Sequence, residues 1–438
     1  MLMINKIISS IIMLSVVFSQ YWQPFHPQDL INHRNEIIDF EAIDNAARLR
    51  EVEFIDRSVL THEIIGYLPY WEYDHYPDLD YSLLTQLNFF SAELDSYGNI
   101  INDHNWNNLY IVDYVHERGV KIKLCATLFG ESELTVLLSN PDNRQNAIAN
   151  LLERVISRNA DGVDIDFELL PNNQRDNLVL FMEELSEVFH DNMEDPIITM
   201  ATPAIDWSDA WDYNRLAQIT DGLFIMGYNY FYGGSNIAGP VSPLGAYYYD
   251  LEYTMYDYIS KTNNQLDKLI LGLPYYGYDW PVQNNSQNSE TIGYGVAKIY
   301  SQAELMSDIY GYNYNQDSHA PWFSYNYDNS WYQCWYDDSL SLANKYDYIK
   351  NLNIQGAGIW ALGYDDGHDE LWGAIYEKFT GSIIGDLNFD NQVNIFDIIL
   401  LVSNILEDDN FYNASIDFNS DDIINIVDVI ALVAIVLD

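Results

Sequence analysis

Three acidic residues, Asp164, Asp166 and Glu168, occupy every second position of the otherwise apolar stretch ADGVDIDFELL, residues 160 to 170. Side chains alternate between the two faces of a β-strand, so a strand here would carry all three carboxyl groups on one face, spaced by roughly 6 to 7 Å. Like charges this close in a low-dielectric interior do not all ionise easily, so at least one carboxyl group would keep a proton near neutral pH. A protonated carboxyl group at a cleft can act as a general acid, and the stretch therefore predicts acid–base catalysis.

Two other interpretations of this acidic stretch compete with catalysis. A calcium-binding loop is one, but such loops seldom place Val, Ile and Phe between their ligands. A solvated, charged edge strand is the second, and it would not be followed by further strand-like runs that alternate with helical patterns. Catalysis is therefore the favoured interpretation.

The elements that would position these acids are eight short apolar runs separated by helical patterns. Between the third and fourth runs, one helical face carries Ile148, Leu151, Leu152, Val155 and Ile156. Repeated strand–helix alternation predicts an α/β fold, a parallel (β/α)8 TIM barrel with its active site at the carboxyl ends of the strands. The longest gap, before the eighth run, is rich in Tyr, Trp and Asn and predicts an insertion before the last strand. The runs begin at Glu63, Leu83, Val120, Asp161, Ile197, Asp221, Lys268 and Gly356.

The charge of the chain limits its partners. It has 19 basic and 66 acidic residues, for a net charge of -47, which would repel nucleic acids and anionic membranes. A neutral or cationic substrate fits this charge better. The 36 Tyr and 11 Trp residues supply aromatic faces of the kind that stack on sugar rings, although a large core would use them equally well.

The N-terminus has the pattern of a secretory signal peptide. One Lys precedes an apolar run from Ile7 to Phe18, which is too short to span a membrane. We expect cleavage near Ser19 and a secreted protein without a membrane span. The predicted divisions are a signal peptide (1–19), a polar spacer with some helix (20–61), a catalytic domain (62–380), a linker (381–385) and a small all-α calcium-binding domain (386–438).

The C-terminus repeats one motif, DLNFDNQVNIFD from Asp386 and DFNSDDIINIVD from Asp417, each followed by an apolar helical run. Both copies place Asp, Asn, Asp, Asn and Asp at positions 1, 3, 5, 9 and 12, where an EF-hand loop supplies oxygen ligands to calcium. An Asx-rich turn would account for one such loop, but two matching loops predict two structural calcium ions and none for catalysis. The predicted ligands are Asp386, Asn388, Asp390, Asn394, Asp397, Asp417, Asn419, Asp421, Asn425 and Asp428.

The segment DGVDIDFE resembles the Asp-Gly-x-Asp-x-Asp-x-Glu signature of the family 18 glycoside hydrolases, the chitinase family, and the resemblance extends over residues 63 to 379. It implies that Glu168 protonates the glycosidic oxygen and later activates water. Asp166 would orient the substrate's N-acetyl group and stabilise the oxazolinium, while Asp164 would share charge and proton with Asp166. The implied reaction is substrate-assisted, retaining cleavage of β-1,4-linked N-acetylglucosamine polymers.

Further positions match the family less specifically. The resemblance of MGYNY implies that Tyr228 donates to the acetamide oxygen and that Met226 lines the same subsite, with Asn229 where the family usually has Asp. Trp360 would form the floor of the sugar subsite and Tyr67 its wall. The same residues would also serve an enzyme acting on peptidoglycan or N-glycans. A non-hydrolytic chitin-binding lectin is the competing class, and the presence of the acid favours the enzyme.

The tandem loops resemble a type I dockerin over about the last 55 residues. This resemblance implies a cohesin module of a scaffold or surface protein as partner. The partner-reading positions would be Ile395, Phe396, Ile426 and Val427. A calcium module that only stabilises the barrel is the alternative.

Overall fold

The computed structural model describes most of the chain, and the predicted signal peptide lies outside the described residues. The described residues are 24–50, 60–380, 385–387, 393–406, 418 and 424–437.

Eight parallel strands form the centre of the fold. Each strand pairs with its neighbour in sequence, and the last pairs with the first, so the sheet closes into a barrel. The predicted (β/α)8 barrel is confirmed. In chain order, barrel strands 1 to 8 are Glu63–Pro69, Gln86–Leu94, Lys121–Phe129, Gly162–Glu168, Ile197–Pro203, Gly222–Met226, Leu269–Pro274 and Gly356–Trp360.

Amphipathic helices cover the outside of the barrel. The helix Pro141–Arg158 begins at Asn140, whose side chain accepts from the Asp142 N–H, and ends at Asn159 in a left-handed conformation. Its buried face includes Leu151 but excludes Ile156, which is 48% exposed, so the predicted face was one residue too wide. The other outer helices are Ile111–Glu117, Glu131–Ser139, Arg175–Asn192, Tyr213–Ile219, Leu251–Lys261, Ser339–Leu352 and Asp369–Phe379.

The predicted insertion lies between barrel strands 7 and 8. It is a five-stranded antiparallel sheet with the helix Tyr300–Tyr310 packed on it. Its first strand follows barrel strand 7 after a single residue, which brings its aromatic side chains to the carboxyl end of the barrel. In spatial order its strands are Val296–Ile299, Tyr276–Val282, Ser330–Trp335, Ala320–Tyr327 and Asn313–Asn315.

The described part of the predicted spacer, residues 24–50, is packed on the barrel rather than extended between domains. It contains the helices Phe25–His33 and Phe40–Ala47. The second helix is anchored by buried Asp44, which accepts hydrogen bonds from the Tyr73 hydroxyl at 2.6 Å and the Tyr76 hydroxyl at 3.0 Å. This packing could not be predicted from the polar composition, because it depends on individual polar side chains, such as Asp44, that hydrogen-bond to specific partners in the barrel.

The C-terminal region shows two helices, Ile395–Leu406 and Ile426–Leu437, that pack through Leu401, Val429 and Leu432. Within the described parts of the chain, no helix is both long and apolar enough to cross a membrane.

Candidate active site

Barrel strand 4 carries the acidic ladder, and its three carboxyl groups lie inside the barrel as predicted. Asp164, Asp166 and Glu168 are all buried. The alternate residues face outward, where Phe167 contacts Phe181 of the outer helix Arg175–Asn192 at 5.4 Å between ring centroids. Strand alternation therefore places the acids on the same face, with Glu168 at the carboxyl end of its strand, where TIM-barrel active sites lie.

The two residues before the ladder have structural roles. Asp161 accepts hydrogen bonds from the Ile122 N–H at 2.8 Å and the Lys121 ammonium at 2.7 Å, which ties the start of strand 4 to strand 3. A Cβ on Gly162 would lie 1.8 Å from the Ile197 carbonyl oxygen, so the close approach of strands 4 and 5 requires glycine.

Asp164 is held by hydroxyl groups from two other strands. Its Oδ2 accepts from Tyr67 and its Oδ1 from Thr199, both at 2.6 Å. Lys123 is fully buried on strand 3 and donates to the Thr199 hydroxyl at 2.6 Å. Burial lowers the pKa of Lys123 to about 8, against which the Asp164 charge acts most strongly. Tyr67 was predicted to form a wall of the pocket. It is instead fully buried beneath the pocket, where its hydroxyl donates a hydrogen bond to Asp164.

Lys123 and Thr199 were missed by the sequence reasoning. The available signal was Lys123, the second of two lysines in the run KIKLCATLF, which shares a strand face with Cys125 and Thr127. A basic residue facing a barrel interior needs an anionic partner.

The proton affinities of the other two acids are raised. Burial and then the charge of Asp166 raise the pKa of Glu168 well above its usual range. Burial also raises the pKa of Asp166, which His26 opposes and Asp164 reinforces. A carboxyl group with so high a pKa keeps its proton near neutral pH and can act as a general acid.

The residues after strand 6 complete the same site. Strand 6 ends at Met226, so Tyr228 and Asn229 lie just beyond it rather than on it. Asn229 adopts φ 61°, a conformation that asparagine tolerates, and its Oδ1 accepts from the Tyr276 hydroxyl at 2.8 Å. The amide thereby links the end of strand 6 to the inserted sheet.

Trp360, the last residue of strand 8, lies beneath the mouth with its ring fully buried. The ring of His26 stacks on it, with 3.6 Å between ring centroids and 23° between planes. The His26 Nδ1 is 2.8 Å from Asp166 Oδ2, and its Nε2 is 2.6 Å from the Tyr228 hydroxyl. The sequence reasoning missed His26, since nothing in a polar N-terminal segment signals a contact across the chain.

An open cleft of about 430 Å³ begins at Glu168 and Met226. Trp207 and Trp211, both in the loop after strand 5, also line it, together with Asp206. Asp206 orders that loop by accepting the backbone N–H groups of Ala210 and Trp211. These tryptophans were also missed, and their spacing in DWSDAW was the available signal.

The described tail residues show the same local geometry in both repeats. Asp397 accepts the N–H groups of Leu387 at 2.7 Å and Asn394 at 2.8 Å, and Asp428 accepts those of Phe418 and Asn425, both at 2.9 Å. Asp386, Asp397 and Asp428 are buried, and all the predicted ligands carry the oxygen donors that calcium prefers. Asn388, Asp390, Asp417, Asn419 and Asp421 lie outside the described residues.

Comparisons with known proteins agree with this barrel and its acidic motif. Residues 63–365 match the family described as glycosyl hydrolases family 18. The di-N-acetylchitobiase of Rattus norvegicus is 25% identical over 296 residues, 60% of this chain and 78% of the relative. The cortical fragment-lytic enzyme of Bacillus subtilis is 28% identical over 241 residues, 52% of each chain.

Solved structures share the fold. The Group IV chitinase of Ostrinia furnacalis superimposes with a TM-score of 0.65 at 19% identity, covering 72% of this chain and 99% of that one. Human YKL-39, described as a pseudo-chitinase with retained chitooligosaccharide binding, gives a TM-score of 0.66 at 19% identity, covering 73% and 99%. The family match spans more than half of the chain and includes the acidic ladder, and this protein therefore belongs to the family 18 glycoside hydrolases.

Proposed function

We propose that this glycoside hydrolase cleaves β-1,4-linked N-acetylglucosamine polymers, chitin or chitooligosaccharides, with retention and with the substrate's acetamido group as nucleophile. The observation that carries the proposal is Glu168, a buried acid with a raised pKa at the barrel mouth beside Asp166 and Tyr228. The names of the relatives, a di-N-acetylchitobiase and chitinases, support the same substrate class.

The residues divide the work by their charge and hydrogen-bonding capacity. Glu168 gives its proton to the leaving oxygen and later takes one from water. Asp166 accepts from the acetamide N–H and stabilises the positive oxazolinium, while Tyr228 donates to the acetamide oxygen. Asp164, fixed by Tyr67 and Thr199, supports Asp166 through its negative charge.

The sugar on the other side of the scissile bond would lie in the open cleft at Glu168. Trp207 is 58% exposed there, and an exposed indole face suits the apolar face of a sugar ring. Met226 lines this cleft together with Glu168. The cleft therefore extends the predicted subsite of Trp360 past the acid.

Glu168→Gln tests the mechanism. The amide keeps the size of the side chain but cannot protonate the leaving group, so chitotetraose hydrolysis should fall by at least about a hundredfold while binding persists. Glu187→Gln, on the exposed face of an outer helix, is the matched control. Retention is checked by the anomeric configuration of the first product in an NMR time course. Full activity of Glu168→Gln would overturn the mechanism.

Peptidoglycan is the second substrate candidate, favoured by the relative named a cortical fragment-lytic enzyme. N-glycans and a lectin-like role are weaker candidates. Parallel assays on chitin, peptidoglycan and a glycoprotein separate them, because the preferred polymer should show the largest kcat/KM.

The tail is proposed to bind two calcium ions and to attach the secreted enzyme to a cohesin-bearing scaffold. Its predicted partner-reading side chains are apolar and outward-facing in the structure: Ile395 is 56%, Phe396 61%, Ile426 63% and Val427 48% exposed. Exposed apolar side chains at equivalent positions of two repeats are typical of a docking surface.

A further inference from the structure

The helix Phe25–His33 lies across the barrel mouth and fills the buried half of the site. We define the mouth segment as residues 24–33. Five of its residues are buried: Pro24, Phe25, His26, Asp29 and Leu30. Of these, His26 is 0% exposed, so the imidazole is completely enclosed.

His26 uses the groups that the proposed mechanism assigns to the acetamido sugar. Its ring covers the face of Trp360, its Nδ1 faces Asp166, and its Nε2 faces the Tyr228 hydroxyl. With the proton on Nδ1, the imidazole donates to the Asp166 carboxylate and accepts from the phenol. An acetamide presents the same pair, an N–H donor and a carbonyl acceptor, and a sugar ring presents a flat face to the indole.

Contacts on both sides of His26 fix the mouth segment. Phe25 stacks on Tyr276 of the inserted sheet, with 3.7 Å between ring centroids and 11° between planes. Asp29 accepts a short hydrogen bond from the Tyr364 hydroxyl, and His33 stacks on Trp71 at 4.6 Å. These partners come from the loops after strands 1 and 8 and from the insertion, so the segment bridges the mouth.

We propose that the mouth segment is an intramolecular occupant of the sugar subsite and holds the enzyme inactive until it is displaced or removed. The inference rests on the proposed function. Two rings cannot occupy the face of Trp360 together, so substrate binding requires that His26 leave. The cleft lined by Trp207 remains open, so the other half of the substrate site stays accessible while the segment is bound.

Competition lowers apparent affinity in proportion to the fraction of molecules with an open subsite. Variants of the full chain, assayed with chitotetraose in EDTA, test this effect. His26→Ala should raise kcat/KM by at least about tenfold, because the docked state then loses both hydrogen bonds and the stacking contact. His190→Ala, on the exposed face of an outer helix, is the matched control and should equal the wild type.

Hydrogen exchange provides a second readout. In a Glu168→Gln background, saturating chitotetraose should speed amide exchange in residues 25–33, because the sugar displaces the helix. His26→Ala should speed the same exchange without sugar.

The outcomes separate this proposal from the proposed function. Equal, measurable activity of wild type and His26→Ala, with unchanged exchange on adding sugar, would overturn the mouth-segment proposal alone. Absence of both hydrolysis and sugar-induced exchange in every variant would overturn both proposals. His26, Asp166 and Glu168 also place ligand atoms close enough for one metal ion. If EDTA alone activated the wild type as much as His26→Ala does, a metal-ligand role would replace the sugar-mimic role.

Discussion

Tyr67 on barrel strand 1 donates a 2.6 Å hydrogen bond across the barrel interior to Asp164 on strand 4. Both residues are fully buried, and Thr199 occupies the other carboxylate oxygen. Both carboxylate oxygens of Asp164 therefore accept a hydrogen bond, and Asp164 lies two residues before Asp166 on strand 4. No hydrogen bond joins Asp164 to Asp166 among the described residues, so the support it gives is electrostatic and positional.

Tyr67→Phe should therefore weaken both stability and catalysis. Removing the donor leaves a buried carboxylate oxygen unsatisfied, at a cost of about 1 to 3 kcal/mol in the free energy of unfolding. We expect kcat to fall about tenfold or more, with KM little changed, because Asp164 loses its fixed position. Urea unfolding and steady-state kinetics measure the two effects. Tyr81→Phe, which loses a buried 2.7 Å bond to the Tyr76 carbonyl, should reduce stability without the change in kcat.

The charge of Asp166 should set the basic limb of the pH–rate profile. That charge is the second cause, after burial, of the raised pKa of Glu168. In Asp166→Asn the charge is lost, so the pKa of Glu168 falls and the acid loses its proton at lower pH. The basic limb of kcat/KM should move to lower pH, and the rate should fall by about 10² or more. Asp191→Asn, exposed on an outer helix, should leave the limb in place.

Asn229→Asp should move the basic limb of the pH–rate profile to higher pH. The new carboxylate can keep the bond from the Tyr276 hydroxyl, and aspartate tolerates the left-handed backbone at this position. A second negative charge near Asp166 and Glu168 raises the pKa of both acids, so activity should persist to higher pH. A pH–rate profile identical to that of the wild type would show that the two positions are electrostatically independent.

Docking of the mouth segment should weaken as pH rises through about 6. Burial raises the pKa of Asp29 to about 6, against the lowering effects of Tyr364, His33, His26 and Trp360. A raised pKa means that docking is strongest below the usual pKa of Asp29 and that this contribution is lost as Asp29 ionises near pH 6.

The measurement is the ratio of kcat/KM between His26→Ala and wild type at each pH, compared with the same ratio in an Asp29→Asn background, which isolates the contribution of Asp29. The ratio should fall between pH 5 and 7 and should become flat in an Asp29→Asn background. Glu72, the neighbouring acid with a pKa raised to about 8, titrates above this window. A ratio that stays constant in the wild-type background would contradict the prediction.

Removal of calcium should affect the tail alone. The proposed ligands, among them buried Asp397 and Asp428, would lose their counter-charge, and the helices Ile395–Leu406 and Ile426–Leu437 should lose order. Far-UV circular dichroism in EDTA should show a partial loss of helical signal that calcium restores, while chitotetraose hydrolysis continues. Unchanged ellipticity in EDTA would count against calcium-driven folding.

The sequence by itself determined the barrel and the position of its acids. Strand alternation is a local property, so Asp164, Asp166 and Glu168 had to share one face once strand 4 formed. The alternation of apolar runs and helical patterns likewise gave all eight strands, because hydrophobic periodicity reports which face of each element is buried.

Only the tertiary structure decided the partners of those acids. Closure of the barrel brings Lys123, Tyr67 and Thr199 from separate strands to Asp164, and the local sequence of each strand does not identify which residues of the other strands it will contact. His26 reaches Asp166 across 140 positions of the chain. Its position depends on aromatic contacts with loops and with the inserted sheet. These elements form a common surface only after the barrel has folded, and side-chain packing depends on that assembled surface.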